Sequence, residues 1–200
     1  MQVDECQLVL VDYQARLMPA IHGADEVLAN AVRLARIARL LEVPVWATEH
    51  CPAGLGETAP ALQAVLGAPA LPKTAFSAAD VLLPRLRPVQ RQQQGGNARS
   101  LPKHLQKAAP PPAAARDSIV LAGCEAHVCL LQTALALLEE ELDVWVVTDA
   151  CSSRTERNRD AAFDRLAGAG AELVTTEMLA FEWLGNAEHP RFKDVLALVK

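Results

Sequence analysis

The chain has no uninterrupted apolar run of about 18 residues, which excludes a helical membrane span. Its first residues, Met1-Gln-Val-Asp-Glu5, lack the basic and apolar regions of a secretory signal and the arginine-rich character of a transit peptide. Export is therefore not expected; a cytoplasmic location is, with an organellar one left open. It has no CxxC pair and no even set of cysteines. Cys6, Cys51, Cys124, Cys129 and Cys151 are odd in number and widely spaced, which favours free thiols in a reducing compartment over a disulfide framework. Cys124 and Cys129 lie five apart with no second ligand pair, so no structural zinc site is expected. Acidic residues are missing between Asp80 and Asp117, where Arg85, Arg87, Arg91, Arg99, Lys103, Lys107 and Arg116 fall. The formal net charge of −5 hides this asymmetry. Such a basic stretch is a footprint for an anion or nucleic acid, or, by default, a solvated loop. There is no internal repeat.

What is present reads as one globular domain over residues 1–200. The chain is 51% apolar and 22% charged, long enough to bury a continuous core without staples. Residues 7–11 (QLVLV) form a short apolar run ending at Asp12, the pattern of a buried central strand. Residues 25–41 carry apolar side chains at helical spacing with arginines on the other face. Strands are expected over 43–48, 118–123, 143–148 and 171–175, and helices over 58–66, 127–141, 155–167, 178–184 and 191–199. Strands apolar on both faces, alternating with helices, imply a parallel sheet covered on both sides. Residues 84–116, rich in Pro, Gln, Ala and basic side chains, break this rhythm and are expected as a flexible basic insertion.

In an open parallel sheet the chemistry belongs beyond the carboxyl ends of the strands. Asp12 ends the first strand, Glu49 and His50 follow the second, and Asp149 follows the strand over 143–148; each could equally cap a nearby turn or helix. The stretch Gly123-Cys-Glu-Ala-His-Val-Cys129 carries a strand into a helix and puts Cys129 in its first turn. The helix dipole there favours a thiolate, and free N–H groups could receive an oxyanion. Cys129 is then either a nucleophile or a small buried core residue. Lys73 stands alone in an apolar stretch, either as a surface lysine or as a buried ammonium acting on a nearby thiol.

Together the segments Leu10-Val-Asp12-Tyr-Gln14, Thr48-Glu-His-Cys51, Lys73-Thr-Ala-Phe-Ser77, Gly123 to Cys129 and Asp149-Ala-Cys-Ser-Ser-Arg154 resemble the isochorismatase-like cysteine hydrolase superfamily. The resemblance covers nearly the whole chain outside the insertion and is nearest to the small isochorismatase-domain-containing proteins. It implies a three-layer α/β/α fold with a doubly wound, mainly parallel sheet. It also implies Cys129, not Cys124, as nucleophile, Asp12 as acid and base, and Lys73 as the accompanying cation. A non-proline cis peptide at or beside Cys124–Glu125 would turn the Glu125 N–H toward that of Cys129 as an oxyanion hole. Gln14, Glu49, His50 and Asp149 are assigned to the pocket or its support, and His127 to a structural role.

The implied reaction is hydrolysis of a small amide or carboxamide-like substrate through a thioester. Nicotinamidases of this superfamily carry an Asp-x-His metal pair after the second strand. Residues 48–51 lack it, so neither metal nor cofactor is expected. True isochorismatases lack the cysteine nucleophile and cleave a vinyl ether, a reaction Cys129 argues against. Expected partners are a small-molecule substrate and, through Phe181, Trp183, Leu184, Phe192 and Val195, further copies of the chain. A different class of reading is a catalytically weak member acting as an interaction or RNA-associated protein through its basic insertion, with nuclease activity as a further variant. The lack of interleaved aromatics between Arg85 and Lys107 weakens the RNA reading.

Overall fold

The computed structural model describes residues 1–88 and 116–200. Six parallel strands form one sheet: β1 (Cys6–Val11), β2 (Val45–His50), β3 (Leu71–Lys73), β4 (Ser118–Gly123), β5 (Asp143–Val147) and β6 (Glu172–Val174). Their order is β3-β2-β1-β4-β5-β6. β1 and β4 are buried at every residue, as strands covered on both faces must be. Helix α1 (Ala24–Leu40) packs with α3 (Pro60–Gln63), α7 (Thr176–Leu184) and α8 (Phe192–Val199) on one side of the sheet, and the short α2 (Pro52–Leu55) follows β2. Helices α4 (Ala79–Leu86), α5 (Leu131–Glu139) and α6 (Glu156–Gly168) pack against one another on the other. The result is the three-layer α/β/α fold, with the strand order reversing between β1 and β4. That switch point opens a crevice at the carboxyl ends of these two strands.

Local sequence explains most elements. α1 buries Val27, Ala31, Leu34, Ala35 and Ala38 at intervals of three and four and leaves Arg36 and Arg39 exposed. Thr155 and Thr175 cap α6 and α7, each hydroxyl accepting from the N–H three residues on. Gly123 ends β4 against Val11, and a Cβ there would come within 2.6 Å of both the Val11 Cβ and its carbonyl oxygen. Only glycine permits this approach. Gly123→Ala should therefore destabilise the protein by about 1–3 kcal/mol, read as a lowered urea midpoint; a shift of under 0.5 kcal/mol would mean the two strands tolerate separation.

Several expectations are corrected. β2 begins after Pro44 and runs to His50, so Glu49 and His50 lie within the strand rather than after it. The Leu8 N–H bonds to the Pro44 carbonyl, so the proline lacks only its own donor. β3, three residues around Pro72, was not anticipated, and neither was α4. The expected helix over 58–66 contracts to α3 because Thr58 is drawn into a bridge with Gln14. α4 continues through Pro84 to Leu86, anchored by buried Leu82 and Leu86, so ordered structure extends into the span expected as insertion.

Its two ends are also held. Gln7 donates to the carbonyls of Leu86 and Arg116, and Arg87 pairs with Asp117 at 2.9 Å. Residues 89–115, with most of the basic stretch, lie outside the described residues. Trp183, Leu184 and Val195 belong to the core of the chain itself, leaving Met178 and Phe181 as exposed apolar residues on α7. Among the described residues no helix is long and apolar enough to cross a membrane.

Candidate active site

Asp12 is the first residue beyond β1 and adopts a left-handed backbone, φ 57°. An aspartate tolerates this conformation better than most side chains. Its N–H bonds to the Thr48 carbonyl of β2, while Cys124 beyond β4 donates to Val11. The carboxylate thus sits at the switch point, fully buried. Its two oxygens have separate partners. Thr48 Oγ1 donates to Oδ1 at 2.7 Å, and Lys73 Nζ donates to Oδ2 at 2.6 Å.

Lys73, the last residue of β3, is buried with its charge fully engaged. Besides Asp12, Nζ donates to the carbonyls of Ala75 (3.2 Å) and Phe76 (3.0 Å). Those two bonds curl the 74–77 segment around the ammonium. Of the two readings open for this lysine, the buried ammonium is the one the structure contains. Such a pair is costly to bury and survives only with its remaining donors and acceptors satisfied, as here.

Cys129 lies on the other side of the crevice in a π-helical turn, Ala126–Leu130, that leads into α5. Thr133 ties this turn to the Lys73 side: its hydroxyl donates to the Cys129 carbonyl at 2.7 Å and accepts from the Ala78 N–H at 2.9 Å. The thiol is buried, and both Asp12 and Lys73 act on it. Burial foremost, then the Asp12 carboxylate, push its pKa up to about 12, only partly offset by Lys73. This corrects the expectation of a thiolate held by the helix dipole. The local field of the helix start is outweighed by loss of water and by a neighbouring anion.

The peptide between Cys124 and Glu125 is cis. Within the turn, Ala126 N–H bonds to the Ser152 carbonyl, His127 N–H to Ser153 Oγ, and Val128 and Leu130 N–H to the Glu125 carbonyl. The Glu125 N–H, just outside the turn, has no acceptor among the described residues. The Glu125 side chain turns away from the thiol, its Oε2 accepting from the Arg154 N–H and Nε at 3.0 and 2.9 Å. Cys124 is also buried, its thiol pushed up to about 12 by burial.

The remaining candidates separate into braces and bystanders. Gln14 is fully buried and clamps the end of β2, accepting from the His50 N–H at 2.8 Å and donating to the His50 carbonyl at 3.0 Å. Glu49 points to the opposite face of β2 and accepts from the Thr58 N–H and hydroxyl at 2.6 and 2.7 Å. His50 packs its ring on Phe76, centroids 5.3 Å apart. Asp149 is not part of this cluster: its Oδ1 accepts from the N–H and hydroxyl of Thr176, fixing the start of α7. His127 bridges Ser153 and Asn158 and holds the turn to α6.

Thr48 and Thr133, the two hydroxyls that join strands and turns around the cluster, carried no assigned role in the sequence reading. Among the described residues no three of His, Cys, Asp and Glu gather as a metal site.

Comparison with known proteins agrees with this architecture. The family model described as Isochorismatase domain matches residues 6–178. Human isochorismatase domain-containing protein 2 is 38% identical over 193 residues, covering 96% of this chain and 82% of that protein. Among solved structures, one named MAR1 ribonuclease from Caenorhabditis elegans is 32% identical with a TM-score of 0.83, covering 100% of this chain and 91% of that one. YcaC from Pseudomonas aeruginosa, solved with hexane-2,5-diol and covalent acrylamide, is 26% identical with a TM-score of 0.76, covering 99% and 90%. With a parallel sheet reversing at β1 and β4, and a family model matching from β1 into α7, the chain belongs to the isochorismatase domain family.

Proposed function

We propose that the protein is a cysteine-dependent hydrolase of small amides, working through a thioester on Cys129. Family membership supports a hydrolase. The observation that carries the finer reading is the buried Asp12–Lys73 pair, 2.6 Å apart, acting on a buried thiol beside a Glu125 N–H without an acceptor among the described residues. The covalent acrylamide in the P. aeruginosa relative adds support, because such an adduct requires a nucleophile in that protein.

In the first step Asp12 takes the Cys129 proton as sulfur attacks the amide carbonyl. Proton transfer and attack run together, since a thiol pushed up to about 12 does not ionise by itself near neutrality. Lys73 balances the negative charge passing between carboxylate and sulfur. The carbonyl oxygen becomes an oxyanion received by the Glu125 and Cys129 N–H groups, each worth roughly 2.7–4 kcal/mol of barrier. Its collapse breaks the C–N bond, and Asp12 returns the proton to the departing amine. Water then attacks the thioester, Asp12 again taking a proton, and the acid leaves with the thiol restored. No step calls on a metal or cofactor.

A panel of carboxamides and carbamates assayed by ammonia release tests this reading. Cys129→Ala should lower turnover of any accepted substrate by at least about a thousandfold while leaving the fold intact. Turnover unchanged by that substitution would rule the thioester out.

A second reading follows from the C. elegans relative named a ribonuclease. The basic residues that would engage RNA, Arg91, Arg99, Lys103 and Lys107, lie outside the described residues. RNA affinity falling steeply with salt, together with cleavage insensitive to Cys129→Ala, would favour it. We also infer assembly into homo-oligomers, supported by exposed Met178 and Phe181 beside Phe192. A monomeric mass in solution would argue against it.

A further inference from the structure

Among the described residues, one buried side-chain nitrogen or oxygen lacks any hydrogen-bond partner, and it is Nδ1 of His50. A sealed, unpaired polar atom is costly to fold and asks for a reason. Its place in the fold supplies one. Side chains two apart on a strand share a face, so His50 leaves β2 on the same side as Thr48, whose hydroxyl holds Asp12. His50 is also directly paired with Lys73 across the sheet. Its ring lies on Phe76, the residue whose carbonyl accepts from Lys73 Nζ. The backbone of His50 is gripped at both N–H and C=O by Gln14, so the imidazole stands on a fixed base.

Resting on the cysteine-hydrolase reading, we propose that His50 Nδ1 is a specificity-determining acceptor for an amide N–H of the substrate. With the ring proton on Nε2, Nδ1 presents a bare lone pair. Phe76, against which the imidazole packs, is half exposed and can shift as a ligand enters. A substrate N–H arriving at Nδ1 gains a bond without displacing one already made. Carboxamides with at least one N–H are therefore preferred over esters, ketones and fully substituted amides, which leave the nitrogen unpaired.

Two small electrophiles of one shape test this. Acrylamide and methyl vinyl ketone differ only in an NH2 against a CH3. With each, the Cys129 thiol adds across the C=C bond, sulfur to the terminal carbon and the proton to the carbon beside the carbonyl. Adduct formation at Cys129 is followed by peptide mass, and each rate is divided by that of free cysteine. The expected result is a ratio of acrylamide to ketone that falls about tenfold in His50→Phe, which keeps the ring on Phe76, with the ketone rate unchanged. His50→Asn, which restores a polar atom near the position of Nδ1, should recover part of the ratio. An unchanged ratio, or both rates falling together with the melting temperature, would overturn the inference while leaving the nucleophile in place. Absence of any Cys129 adduct in the parent protein would remove the nucleophile and this proposal with it.

Discussion

Replacing Lys73 with methionine should lower the unfolding free energy by about 3–5 kcal/mol and reduce hydrolysis by at least about a thousandfold. The stability loss follows from what remains behind. Asp12 would stay fully buried with only the Thr48 hydroxyl for company, and the carbonyls of Ala75 and Phe76 would lose their common donor. An uncompensated buried carboxylate is among the costliest changes a core can suffer. Removing both charges is gentler. In Asp12→Asn/Lys73→Met the amide and the thioether fill the space without a stranded ion, so much of the stability should return while hydrolysis does not. Urea unfolding of the two single variants and the double variant gives the coupling directly. A loss under 1 kcal/mol for Lys73→Met would mean that water reaches Asp12 and that the pair is not buried in solution.

Asp12→Asn should make Cys129 more reactive toward a simple thiol reagent and yet abolish turnover. The two effects have opposite signs because the carboxylate has two opposite influences on the sulfur. As a neighbouring anion it raises the thiol pKa, second only to burial, while Lys73 pulls it down. Replacing the anion by a neutral amide leaves burial and Lys73 in competition, so the pKa falls and the thiolate fraction near pH 8 rises. In the proposed mechanism, however, Asp12 is the base that takes the proton during attack, and an amide cannot do so.

With methyl methanethiosulfonate, the parent should react about tenfold faster per pH unit from 7 to 11, with no plateau before about pH 12. At pH 7 it holds about a thousandfold less thiolate than a thiol at the ordinary value of 9.0. In Asp12→Asn the same curve moves to lower pH. Exposed Cys51 reacts independently, so the modified Cys129 peptide must be read by mass. A parent curve already flat at pH 7 would show a resting thiolate and return the account to the helix dipole.

Much of the frame is legible in the sequence. β1 and β4 announce themselves because a strand covered on both faces must be apolar throughout, and α1 because its apolar stripe keeps helical spacing for 17 residues. β3 and α4 stayed hidden for the opposite reason: each contains a proline, and neither is long enough for a period to show. Asp12 and Cys129 stand out as strand-end and helix-start residues of the right chemical kinds, and Lys73 as an isolated lysine in an apolar stretch. Their assembly was suggested only by the order of several motifs along the chain.

The supporting contacts were beyond reach of the sequence. Thr48 holding Asp12 and Thr133 holding Cys129 depend on strand order and on how α4 and α5 meet, which local pattern does not encode. The thiolate expectation failed because it counted one local field and left out burial and Asp12, both products of the tertiary fold. Asp149 illustrates the same limit. A carboxylate after a strand is equally suited to catalysis and to holding a helix, and here it holds α7.

In the proposed reaction the acyl group of the substrate passes through the sulfur of Cys129. An acid quench during turnover of an accepted carboxamide, followed by mass mapping of the peptide carrying Cys129, tests it most directly. The acyl mass should appear on that cysteine, released by hydroxylamine and absent in Asp12→Asn. An unmodified Cys129 peptide, with ammonia release undiminished in Cys129→Ala, would contradict it.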